Sequence, residues 1–324
     1  MTDKPFPILF ITTSRVGDAV LSSGLIRTLA EQVPAARFTI VASALTAPLF
    51  AAVPGLDRVI VMEKAPAGRH WLDLWNKVRD RHWGLVVDLR GSALSGFLRR
   101  ARRAVHRKEG EPVHKVIEAA RLLQMEERPP APFLYTSPED EARAAALTAG
   151  QGPILAVAPA ANWVGKVWPA ERFAMVARHL LSDGGPLAGG RLMVLGGPGD
   201  QVHAGPVMTA VPRWRCIDLV GREDLLVCYA ALKRARLFIG GDSGLMHMAA
   251  AAGVPTLGLF GPSDERLYAP WGENTRTVRG VRTFEEIRAQ DPRLNQALRH
   301  MMDLKVEPVV VAAEALLADT AGKP

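Results

Sequence analysis

The chain has 324 residues, more than one typical hydrophobic core serves and about right for two domains of roughly 150 residues each. Hydrophobic residues make up 48% and charged residues 23%, an ordinary globular balance that excludes disorder as the main state. The net charge of +7 favours an anionic partner: a nucleotide, a phosphorylated glycan, an anionic membrane surface or a nucleic acid.

The two cysteines, Cys216 and Cys228, have neither metal-ligand spacing nor the even-numbered framework of a stapled secreted domain, which fits a reducing compartment. The opening Met1-Thr2-Asp3-Lys4-Pro5 places an acid and a proline before an apolar run too short for an export signal. The most apolar stretch, residues 245–261, contains His247, Gly253 and Pro255 and falls short of a membrane span. The expectation is a cytoplasmic protein, with peripheral contact with a membrane left open.

In chain order, residues 8–12 read as a short buried strand, followed by a turn over 13–18 and an apolar-periodic helix from 19 to about 32. Strands are expected at 38–42, 59–62 and 85–89. The spacing of Trp71, Leu74, Trp75 and Val78 predicts a helix over 70–81, and 93–102 and 116–125 also read as helices. The prolines 129, 130 and 132, a helix-like 139–147 and Gly150-Gln151-Gly152-Pro153 then mark a boundary near residue 150. Beyond it the pattern restarts, with strands at 154–158, 192–195, 237–239 and 256–260 and helices at 170–181, 225–233 and 245–252. Strands alternating with helices imply parallel sheets with right-handed crossovers. The expected fold class is therefore α/β: two doubly wound, Rossmann-like domains, 1–150 and 151–324, with a cleft between them.

In such sheets ligands meet the loops that leave the carboxyl ends of the strands. Gly240-Gly241-Asp242-Ser243-Gly244 lies between a strand and the helix carrying His247, so its glycines and the helix N-terminus suit a diphosphate; helix capping by Asp242 or Ser243 is the plain alternative. Lys166 lies in the loop 159–168, where it is either a counter-charge for a departing diphosphate or a solvated lysine. Asp18 ends the loop after the first strand, as a base for an acceptor hydroxyl or as a helix cap. Asp200, in Gly196-Gly197-Pro198-Gly199-Asp200, suits ribose hydroxyls, although that loop is no dinucleotide fingerprint. A basic run, Arg99, Arg100, Arg102, Arg103, His106, Arg107 and Lys108, follows the loop containing Arg90. It suits acceptor phosphates or anionic headgroups, or is a solvated helix face. No aromatic residue interleaves it, which counts against nucleic acid. The sequence has no Asp-x-Asp pair, no His-Glu-x-x-His, no Gly-x-Ser-x-Gly and no Walker loop, and the expectation is neither metal nor cofactor.

The stretch 238–264, Phe-Ile-Gly-Gly-Asp-Ser-Gly-Leu-Met-His-Met-Ala-Ala-Ala-Ala-Gly-Val-Pro-Thr-Leu-Gly-Leu-Phe-Gly-Pro-Ser-Asp, resembles the signature of glycosyltransferase family 9, the heptosyltransferases. Residues 13–29 with Gly17-Asp18, the loop Asp88-Leu-Arg-Gly-Ser92, Lys166-Val-Trp-Pro169 and Met302-Asp-Leu-Lys-Val-Glu-Pro-Val309 agree in the family's order, so the resemblance spans nearly the whole chain.

The resemblance implies a GT-B fold and an inverting, metal-independent transfer of heptose from ADP-heptose to the lipopolysaccharide core at the cytoplasmic face of the inner membrane. It assigns the acceptor to the first domain and the nucleotide sugar to the second, with the last helix packing back on the first. Asp18 matches the proposed catalytic base, with Arg90 on the acceptor. Lys166 matches the donor-phosphate lysine, Ala161 and Asn162 neighbouring donor contacts, and Asp242, Ser243, Gly244 and His247 the donor loop, with Asp200 in the place of a ribose-binding acid. Family members often carry threonines where Ala161 and Asn162 stand, and many carry cysteines that residues 282–300 lack. The alternatives are another GT-B nucleotide-sugar enzyme, such as a hexosyltransferase or an epimerase, and an NAD-dependent oxidoreductase.

Overall fold

A computed structural model describes residues 4–107, 110–294 and 298–322; Met1–Asp3 and Lys108 of the basic run lie outside them. The chain divides into two compact units, 1–137 and 138–324.

The first unit is built on a five-stranded parallel sheet. Its elements are β1 (Phe6–Ile11), α1 (Val16–Leu21), α2 (Gly24–Gln32), β2 (Ala36–Ala42), β3 (Leu56–Val61), α3 (Arg69–Val78), β4 (Trp83–Asp88), β5 (Arg100–Val105) and α4 (Lys115–Ala120). The strand order β3-β2-β1-β4-β5 puts the most apolar strand, β1, in the middle, with Ile8, Leu9, Phe10 and Ile11 fully buried. A strand covered on both faces needs such a continuous apolar run.

The single helix expected from residue 19 starts earlier, at Val16, and breaks at Ser22–Ser23. Both hydroxyls turn back onto helical carbonyls, Ser22 on Asp18 and Ala19 and Ser23 on Val20, a geometry that bends helices. Gly24 follows because a Cβ there would stand 2.5 Å from the carbonyl oxygens of Pro130 and Ala131. The helix expected over 93–102 is not formed. A short 3-10 turn, Leu94–Phe97, leads instead into β5, which pairs with β4 from Trp83↔Arg100 to Asp88↔Val105. The basic run is thus an edge strand, where arginines discourage pairing with another chain.

The second unit holds a six-stranded parallel sheet in the order β11-β10-β9-β6-β7-β8. Its elements are α5 (Pro138–Leu147), β6 (Ile154–Ala158), α6 (Ala170–Leu181), β7 (Arg191–Val194), α7 (Gln201–Met208), β8 (Cys216–Asp218), α8 (Leu225–Leu232), β9 (Leu237–Gly241), α9 (Gly244–Ala251), β10 (Thr256–Phe260), α10 (Glu265–Tyr268), β11 (Thr275–Arg279), α11 (Phe284–Gln290) and α12 (Val306–Asp319). The division falls before α5 rather than after it, because α5 packs on α8 and pairs Arg143 with Glu223 and Glu141 with Lys233. The last helix, α12, expected on the first domain, buries Val309, Ala313, Leu316 and Leu317 in the core of its own unit, against α6 and β9–β11.

Trp83 closes the core of the first unit, fully buried, with its indole N–H donating 3.0 Å to the Val78 carbonyl at the end of α3. We expect Trp83→Ala to cost about 3–5 kcal/mol. Urea unfolding followed by circular dichroism measures it, and a loss well under 1 kcal/mol would contradict this packing.

Candidate active site

In the second unit three adjacent strands, β10, β9 and β6, release their loops side by side, and one carboxylate ties the loops together. Asp242, 7% exposed, follows β9. Its Oδ2 accepts from Lys166 Nζ in the β6 loop at 2.5 Å and from Ser263 Oγ in the β10 loop at 2.6 Å. Its Oδ1 lies 3.5 Å from His247 Nε2 on α9. Burial alone would push the Asp242 carboxyl up, but the His247 ring and the Lys166 ammonium outweigh it and hold the group well below the usual carboxylate range.

Glycines make this convergence possible. A Cβ at Gly241 would sit 3.2 Å from the Lys166 carbonyl, and one at Gly240 would meet the Phe238 ring at 2.8 Å. The β10 loop is pinned in turn by Arg279, whose guanidinium donates to the Gly261 and Ser263 carbonyls and pairs with Glu265.

The capping alternatives fail here. Ser243 is the N-cap of α9 but its hydroxyl makes no cap bond, and the Asp242 carboxylate is spent on the neighbouring loops. Lys166 is no solvated lysine, since its side chain is 24% exposed and ion-paired. Among the described residues, Ser243 Oγ and His247 Nδ1 are buried without a hydrogen-bond partner. Orphaned polar atoms of this kind are expensive unless a ligand meets them. Ser243 and Gly244 stand at the start of α9, where backbone N–H groups face any anion.

The remaining donor candidates lie on neighbouring strand ends. Ala161, half-buried, and Asn162, exposed, occupy the β6 loop before Lys166. Asp200 follows β7 and turns inward on its own loop, Oδ2 accepting from the Gly197 amide at 2.7 Å. Ser263 was passed over in the sequence. Its signal was available, since Gly-Pro-Ser-Asp follows the strand next to β9, but a lone serine in a loop discloses no partner.

In the first unit, Asp18 stands in the first turn of α1, half-buried, and is not the cap of that helix, a place held by Arg15. Arg90 follows β4 and donates from Nε to the Thr12 carbonyl at 2.7 Å, so the loops after β1 and β4 are fastened together. Asp88, fully buried, accepts from the Arg90 and Ser92 amides and from the Ser92 hydroxyl. Burial pushes the Asp88 carboxyl up against those bonds, and burial likewise lowers Arg90 against the pull of Asp88 and Glu63. Arg90 Nη2 is buried without a hydrogen-bond partner among the described residues.

Two parallel α/β units with polar groups gathered at the carboxyl ends of their strands make up a GT-B fold. The profile of glycosyltransferase family 9 (heptosyltransferase) matches residues 89–296, and the chain belongs to that family. It is similar to lipopolysaccharide heptosyltransferase 2 of Salmonella typhimurium, 23% identical over 96% of this chain and 99% of that one. Among solved structures it is similar to a glycosyl transferase family 9 protein from Veillonella parvula, at a TM-score of 0.76 and 20% identity over 98% of this chain and 99% of that one. It is also similar to the ADP-heptose lps heptosyltransferase II of E. coli, at a TM-score of 0.74 and 22% identity over 97% and 99% of the two chains. Membership of the family sets aside the epimerase and oxidoreductase alternatives.

Folding lowers the Asp242 pKa below the value of about 3.9 that an unfolded aspartate has. The stability this contributes is present above about pH 4 and is lost as the pH falls toward the native pKa. We expect Asp242→Asn to be less stable than wild type at neutral pH and to lose less stability below about pH 4. Urea midpoints across the acid range decide it; an unaltered acid limb in the variant would contradict the pairing.

Proposed function

We propose that this glycosyltransferase moves heptose from ADP-heptose to a lipopolysaccharide core acceptor, inverting the anomeric centre without a metal, at the cytoplasmic face of the inner membrane. The reading rests on membership of the heptosyltransferase family together with the Lys166–Asp242–Ser263 cluster. Two of the relatives are named as heptosyltransferases, one of them for ADP-heptose.

In this reading the second unit takes the donor and the first takes the acceptor. The diphosphate is received at the start of α9, by the Ser243 hydroxyl, the Gly244 amide and the Lys166 ammonium, with His247 beneath. Ala161 and Asn162 flank it, and Asp200 meets the ribose. Asp242 and Ser263 hold Lys166 in place until the phosphate arrives. Arg90 meets an anionic group of the acceptor. Asp18 takes the proton from the acceptor hydroxyl as its oxygen bonds to the anomeric carbon. The bond from that carbon to the diphosphate oxygen breaks on the opposite face, and ADP leaves with the electron pair. Fixed positive groups then stabilise the developing charge, the part a metal plays elsewhere.

Two substitutions separate the roles. Asp18→Ala is expected to lower turnover by about 10²–10⁴-fold while ADP binding by calorimetry stays at the wild-type level. Wild-type turnover in that variant would remove Asp18 from the mechanism. Lys166→Ala is expected to weaken ADP-heptose binding by about ten- to a hundredfold, the scale of a hydrogen bond to a charged group; unchanged affinity would contradict the diphosphate site. Product detection by mass, with ADP-heptose set against UDP- and GDP-sugars, tests the donor itself.

A further inference from the structure

The first unit carries an exposed surface that this chemistry does not use. Residues 91–107 contain five arginines and no acid, and Arg99, Arg102 and Arg103 are exposed on or beside the edge strand β5. Next to them Phe97 is 74% exposed at the end of the 3-10 turn, and Leu72 is 64% exposed on α3. The two pieces are joined. The Trp75 indole donates to the Phe97 carbonyl at 3.3 Å, and Leu72 lies one turn before Trp75 on the same side of α3. Arg103 pairs in register with Val86, which belongs to the core cluster beneath α3, and its guanidinium lies over Gly96, 3.7 Å from where a Cβ would stand.

A single exposed leucine or phenylalanine needs no explanation. Two that share one patch, flanked by arginines on a segment without a carboxylate, have the composition of an interfacial anchor. We propose that this patch docks the protein on an anionic lipid bilayer. Phe97 and Leu72 enter the boundary between headgroups and acyl chains, while Arg99 and Arg103 pair with lipid phosphates. A nucleic-acid surface fits less well: the Trp75 ring is covered by Arg79, 4.5 Å from its centroid, and is not offered to a base, and Leu72 gives a base nothing to stack on.

The test needs no sugar transfer, so it stands or falls apart from the proposed reaction. The full chain is sedimented with vesicles of phosphatidylcholine alone and of phosphatidylcholine mixed with phosphatidylglycerol. Binding to the mixed vesicles only, weakened by salt, is expected. Phe97→Ser should weaken it by about tenfold or more, and Arg99→Gln and Arg103→Gln by about fivefold each. Trp214→Ser, which removes an 81% exposed aromatic from the second unit, should leave it unchanged. All four side chains are exposed, and circular dichroism checks that the fold survives. No binding to anionic vesicles, binding indifferent to Phe97→Ser and Arg103→Gln, or equal loss in Trp214→Ser overturns the proposal. So does arginine-dependent binding of a single-stranded oligonucleotide without vesicle binding, or a dimer that Phe97→Ser disperses.

Discussion

A carboxylate taken almost wholly out of water, as Asp242 is, carries a desolvation penalty of several kcal/mol that only close, well-aimed partners offset. That requirement organises the second unit. Lys166 and Ser263 must reach the same oxygen from different loops, so those loops must run alongside the end of β9. They do so because β9 lies between β10 and β6 in the sheet. A side chain at Gly241 would crowd the Lys166 loop, and Arg279 holds the Ser263 loop through the Ser263 carbonyl. Once assembled, the cluster brings a lysine, an unpartnered hydroxyl and a helix start together, a combination that suits an anion.

The place of this cluster follows from the winding of the sheet. From β6 the chain runs outward through β7 and β8, then returns to the other side of β6 and runs outward again through β9, β10 and β11. The loops after β6 and β9 therefore diverge at the point where the direction reverses, and Lys166 and Asp242 stand there. The first unit repeats the arrangement with β1 and β4, and there the Arg90 side chain reaches the Thr12 carbonyl.

Much of this was legible because buried parallel strands leave a strong mark. Residues 154–158 are an unbroken apolar run and 256–260 a run of leucines and phenylalanine broken only by Gly258 after Thr256, and both are strands at those bounds. The short edge strands left no such mark. β8 is three residues long and ends in Asp218, and β11 is made of threonines and arginines with one valine, because an edge needs less apolar cover. The same cause misled the reading of 93–102: arginine-rich sequence suits a solvated helix as well as an edge strand, and only pairing with β4 decides between them. In the site, Asp242 and Lys166 were marked as candidates by a glycine-rich turn and by position after strands, and His247 by the family resemblance. Ser263 was not, since its meaning lies entirely in the oxygen it touches, 21 residues away.

The two buried aspartates show why position after a strand is not enough to name a site. Asp88 and Asp242 both stand at strand ends, and both are cut off from water. Asp88 spends its oxygens on the Arg90 and Ser92 amides and the Ser92 hydroxyl, all within four residues. Those bonds shape a turn, and an incoming ligand cannot replace an amide that the turn itself fixes. Its carboxyl is pushed up by burial, as expected of a group that backbone dipoles solvate incompletely. Asp242 spends its oxygens on side chains, two of them from the loops of neighbouring strands, and its carboxyl is driven down. Side chains can change partners where backbone cannot. A lysine held by a side chain can turn to an arriving anion with little rearrangement, which makes Asp242, rather than Asp88, the better candidate for the centre of a binding site.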